Sequence, residues 1–144
     1  MNLHMKAGRI FSLALAATAL LFNSCGAVKG REAADKAVAL FHQQLDRGEF
    51  KPIYDATHSD FKGATSEKDF IALLDAVHRK LGLVQSSERD GWTVNAANFK
   101  VNVSLRYKTK FAEGDAFETF TYRVEGEKAL LLGYNINSQT LITK

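Results

Sequence analysis

The sequence predicts an α+β domain in which three N-terminal helices pack on one face of a four-stranded antiparallel meander sheet. Apolar residues recur at three- and four-residue spacing as far as Leu81, the period of one helical face, and at every second residue in the long run after Leu83, the period of a half-buried strand. Turn signals part these segments: Gly48 and Gly82 follow the helical stretches, and Gly114–Asp115 and Glu125–Gly126 interrupt the alternating ones. Helices that precede all the strands, rather than alternating with them, collect on one side of an antiparallel sheet.

Taken in order, the first 24 residues carry Lys6 and Arg9 and then the run Ile10 to Phe22, in which only Ser12 and Thr18 are polar. A helix needs about 20 apolar residues to span a bilayer, whereas the apolar part of an export signal holds roughly 7 to 15. The run is sized for export, and residues 1–24 are expected to be a signal peptide. Cys25, the sole cysteine, follows directly. With Leu20, Leu21, Phe22, Asn23 and Ser24 before it, the stretch resembles the lipobox of bacterial lipoproteins, with Phe22 where the family prefers leucine. That resemblance implies cleavage before Cys25, acylation of its thiol and amine by chains such as palmitate, and a membrane partner. Gly26 in the next position implies sorting to the periplasmic face of the outer membrane. Without lipid, Cys25 would be a free or intermolecularly bridged thiol.

Residues 25–30 are expected to be the anchor and a short tether, which spans roughly 20 Å if extended. Residues 31–144 then form one domain, a length that supports one core and not two. Of 19 Lys and Arg, two lie in the signal, against none of the 16 Asp and Glu, so the remainder has a net charge of only +1. No general attraction to nucleic acid follows.

The first helix is expected over 31–47, with Ala34, Ala37, Val38, Phe41 and Leu45 on its buried face. A second fits 50–61, where Phe50, Ile53, Tyr54, Thr57 and Phe61 share a face and Pro52, the only proline, falls in the first turn. The third starts at Ser66, which can cap it with Asp69 three residues on; Phe70, Leu73, Leu74, Val77 and Leu81 form its stripe, and Gly82 ends it. From Phe99 to Phe111 apolar or aromatic residues and Thr109 alternate with polar ones without an error. Phe120, Tyr122 and Val124 are the inward positions of the next strand, and Leu130, Leu132, Tyr134 and Ile136 those of the last. A weaker strand, bent near Asp90 and Gly91, covers 83–95.

The order helix, "LDRGEF", "YDATHSDFK", "SEKDFIALLDAVHRKLG", long alternating strand, "TKFAEGDAFETF" and "LLLGYNI" resembles small exported bacterial proteins of unknown function with a cystatin-like or nuclear transport factor-like curved sheet. The likeness covers about residues 31–138 and rests on core and turn positions, so it implies fold and not activity. Only Lys62 to Thr65 separate the second and third helices, so any pocket walled there is expected to be shallow.

Two sets of side chains are candidates for function. His58 with Asp55 and Tyr54 has the helical spacing of an acid–base constellation, the basis of an alternative reading as a small-molecule pocket or an isomerase- or hydrolase-like enzyme. His42 with Asp46 and His78 with Asp75 repeat that spacing, as solvated surface pairs do. No metal-ligand spacing, nucleophile elbow or glycine-rich phosphate loop occurs, and neither metal nor cofactor is expected. Lys100, Arg106, Lys108 and Lys110 project together from the wet face of the long strand, with no acid between Gly91 and Ala112 and with Trp92 and Tyr122 as possible aromatic neighbours. In an exported protein such a stripe points to lipid phosphate, a cell-wall polymer or an acidic protein surface. Partial neutralisation is expected from Glu118 on the neighbouring strand. The reading is a non-enzymatic, lipid-anchored envelope protein that binds another envelope component through the sheet face or the concavity beneath the helices.

Overall fold

The computed structural model describes the backbone of residues 18–143 and the side chains of residues 26–143. The expected signal peptide therefore lies largely, and the Cys25 side chain wholly, outside the described residues. The elements run α1 (Thr18–Asp46), α2 (Phe50–Asp55), α3 (Ser59–Ala64), α4 (Glu67–Leu81), β1 (Val84–Ala97), β2 (Lys100–Phe111), β3 (Gly114–Glu125), β4 (Lys128–Asn137) and α5 (Gln139–Thr143). The four strands form one antiparallel sheet in the order β1-β2-β3-β4, so the molecule is α+β with a meander sheet, as the change of period predicts.

Helix α1 places Ala34, Val38, Phe41 and Leu45 in the core, the stripe expected of it. It also runs back through Gly26–Gly30, the stretch read as a tether, and buries Gly30 against Val103 and Val124. At the other end Gly48 takes a φ of +69° and donates to the Leu45 carbonyl while Glu49 donates to that of Gln44, the paired bonds of a Schellman stop.

The expected helix over 50–61 is two short ones. Between them Thr57 bridges to Leu131, its hydroxyl donates to the Tyr54 carbonyl, and the His58 amide donates to the Leu131 carbonyl. Backbone that would have continued the helix instead pairs with the edge of β4. Helix α4 is capped as predicted, Ser66 Oγ accepting from the Asp69 amide at 3.1 Å. Its stripe is narrower than expected, because Leu73 is exposed.

In β1 the register shifts between Arg89 and Gly91, at the predicted bend. In β4 the inward leucine is Leu131, not Leu130 and Leu132. The pairing slips between Thr121, opposite Gly133, and Tyr122, opposite Leu131, and one extra residue reverses which side chains face in. The core is aromatic at its centre: Phe41 meets Phe120 at 5.0 Å and Tyr134 at 4.9 Å between ring centroids. The inward strand positions pack against α1, and Tyr134 also meets Phe70 of α4. On the sheet's other side α3 covers the part beside β4, where Asp60 lies 3.7 Å from buried Arg123, and the β1–β2 part is left open.

Candidate functional site

Alternation along β2 turns Arg106, Lys108 and Lys110 to the open part of the outer face while Val103, Leu105, Tyr107, Thr109 and Phe111 point to the core. Lys100 opens the strand at the hairpin tip. The cations thus share a strand and a side, but the sheet supplies acids that β2 itself lacks. Register places Glu88 opposite Lys108 and Asp115 opposite Lys110, and an Arg106 Nη lies 3.7 Å from Asp90. Exposed pairs of this kind contribute at most about 1 kcal/mol and leave the cations available. Trp92 and Tyr122 pair with the inward residues Leu105 and Val103 and so face the helices, on the side away from the stripe.

Arg106 has a particular setting. Its side chain is 65% exposed and lies along an open depression of about 330 Å³ bordered by Gly91, Trp92, Thr93, Ser104 and Thr119. A β-carbon at position 91 would stand 2.9 Å from the guanidinium, so glycine there gives Arg106 its room. Ser104 and Thr121 join hydroxyls at 2.9 Å, adding a row of hydrogen-bonding groups to the surface.

His58, Asp55 and Tyr54 are close in sequence but each is engaged elsewhere. The Tyr54 hydroxyl donates to the Thr65 carbonyl, Asp55 holds Lys51 at 2.8 Å, and His58 caps α3 by accepting from the Asp60 amide at Nδ1. A ring nitrogen that accepts carries no proton, so Nε2 holds it, 3.3 Å from Glu125. This geometry holds a helix end together. His58→Ala is expected to lower stability by about 1 kcal/mol, and His58→Asn, a good cap, by less; thermal unfolding of the two variants measures the difference.

One polar cluster was not legible as a site. Glu118, expected on the wet face, is 0% exposed and accepts from Thr109 Oγ1 at 2.5 Å, Tyr134 Oη at 2.7 Å and His42 Nε2 at 2.8 Å. Ser87 continues the chain to Thr109 at 3.0 Å. His42, read as a solvated partner of Asp46, is buried, and Asp46 instead accepts from the Val84 amide. His78 likewise meets Phe50 rather than Asp75, which binds Arg79. The signal for Glu118 was its parity: it shares a side with Ala116, Phe120 and Tyr122. Phe41 and Phe120 pack edge-on against His42, so the carboxylate is sealed rather than presented to a ligand.

Burial, then the charge and bond of Glu118, pushes the Tyr134 phenol well above its ordinary value, and burial does the same for Tyr122. Tyr107 is raised by burial and by its hydrogen bond to Asp35, a carboxylate that also takes Arg89. Unfolded tyrosine ionises near pH 10. Above that pH the folded state holds more protons than the unfolded one, and stability falls as pH rises. An absorbance titration should therefore show these phenols ionising only as the fold opens, in one cooperative step.

The concavity beneath the helices is nearly filled. A groove lined by Ala37, Leu40, Phe41, Ile53, Tyr122 and Leu131 offers about 70 Å³, well short of the roughly 300 Å³ of a small-molecule site. Among the described residues no three His, Cys, Asp or Glu side chains gather to hold a metal ion, and no helix is long and apolar enough to cross a membrane. No protein-family model matches the chain, and no curated protein matches its sequence.

Proposed function

We propose that this chain is an outer-membrane lipoprotein, held on the periplasmic side by acylated Cys25, whose domain binds an anionic envelope component through the outer face of its sheet. The role is binding rather than catalysis. The observation that carries the reading is the setting of Arg106: an exposed guanidinium beside an open depression, with Lys108 and Lys110 further along the strand, on the open β1–β2 part of the sheet's outer face. A planar guanidinium with hydroxyl neighbours is suited to a carboxylate or phosphate group. Between the two surfaces weighed in the sequence, the filled concavity favours the face.

A photo-crosslinking residue at Thr93, which borders the depression, tests this in cells. A captured species that disappears with Arg106→Glu is expected. Capture no different from that by the same probe at Lys68 on α4, or unaffected by Arg106→Glu, removes the assignment.

A further inference from the structure

The hairpin joining β1 to β2 turns on Asn98 and Phe99, both with positive φ, 51° and 61°. Two-residue turns of this hand take glycine readily at the second place; an aromatic ring there is an outlier. Phe99 gains no packing in return, being fully exposed. From Gly91 to Phe99 the chain carries no charge, and the tip adds exposed Ala96 and Ala97.

The direction in which this tip points follows from α1. Gly30 rests on Val103, and sixteen residues later Asp46 binds the amide of Val84, which pairs with Phe111. That length of helix is about 24 Å. The eight residues of β2 from Val103 to Phe111 cover about 26 Å, so the helix runs along the strand. Continued toward its start, α1 carries the Cys25 backbone about 7.5 Å beyond Gly30. Phe99 lies about 13 Å beyond Val103 in the same direction. The tip therefore reaches about 6 Å past the level of Cys25, within the 5–10 Å depth at which interfacial apolar groups settle.

We infer that Phe99 is a membrane wedge: with Cys25 acylated, the β1–β2 tip enters the bilayer interface beside the anchor and fixes the domain upright, its sheet face exposed to partners. This rests on the lipoprotein reading above. Exposed Lys29, Lys100 and Lys128 at this end are balanced in number by Glu32, Glu125 and Glu127, so insertion of the Phe99 ring is expected to be indifferent to lipid charge.

The full chain, isolated from membranes and reconstituted in vesicles, tests it with an environment-sensitive fluorophore on Phe99→Cys and, at the opposite end, on Asn137→Cys. Blue-shifted emission and quenching by lipid-borne spin labels are expected at 99 and not at 137, equally in phosphatidylcholine and in phosphatidylethanolamine–phosphatidylglycerol vesicles. Aqueous emission at 99, or insertion confined to the anionic vesicles, overturns the wedge and leaves the anchor standing. Acylated Cys25 has no thiol, so label on the otherwise unaltered chain overturns the anchor and the wedge together. Phe99→Gly is expected to raise the unfolding temperature by relieving the turn; a fall would mean that the ring serves the fold and would also overturn the wedge.

Discussion

Glu118→Ala is expected to destabilise the domain by about 3–5 kcal/mol, because it removes the common acceptor of three donors in the core, strands the Tyr134 hydroxyl and the His42 ring, and leaves Thr109 with Ser87 alone. Tyr134, Thr109 and His42 come from β4, β2 and α1, so the carboxylate on β3 joins three strands to the helix that covers them. At an ordinary urea dependence the midpoint would fall by about 2 M. Glu118→Gln, which keeps the volume and one acceptor oxygen, should lose less. The double variant Glu118→Leu with His42→Leu should recover part of the loss, since removing both members of a buried polar pair spares the stranded group. A loss below about 1 kcal/mol for Glu118→Ala would show that water or rearranged neighbours satisfy the donors.

Phe120→Ala should cost a similar amount, about 3–5 kcal/mol, for a different reason. Its ring is fully buried and meets Phe41, His42, Tyr107, Tyr122 and Tyr134, so truncation opens a cavity that five rings cannot fill without leaving their rotamers. Because Phe120 touches His42 and Tyr134, both ligands of Glu118, its effect and that of Glu118→Ala should not add. Urea unfolding of the single and double variants measures the coupling; simple additivity would separate the aromatic core from the polar cluster.

These two residues mark how far the sequence could be read. Phe120 was assigned to the core from alternation alone. Glu118 has the same parity, yet its charge suggested the wet side. What reverses the assignment is the arrival of a histidine from residue 42, a threonine from 109 and a tyrosine from 134, and long-range partners leave no local pattern. The same limit explains the split at Thr57–His58, where the edge of β4 competes for the backbone, and the slip in β4, where one unpaired residue exchanges Leu130 and Leu132 for Leu131. Arg106, Lys108 and Lys110 were correctly placed on one face, but Glu88, Asp90 and Asp115 became their neighbours only through strand register.

The change from helices to a four-strand meander, the helix stop at Gly48, the cap at Ser66 and the inward set of β2 were determined by sequence alone, because periodicity and turn chemistry act within a few residues; the fourth N-terminal helix and the closing α5 (Gln139–Thr143) were not. Which acid meets which base, where His42 and Glu118 lie, and that the start of α1 and the β1–β2 tip lie at the same end of the sheet were decided by tertiary structure, because those relations join segments dozens of residues apart and depend on how α1 lies along β2.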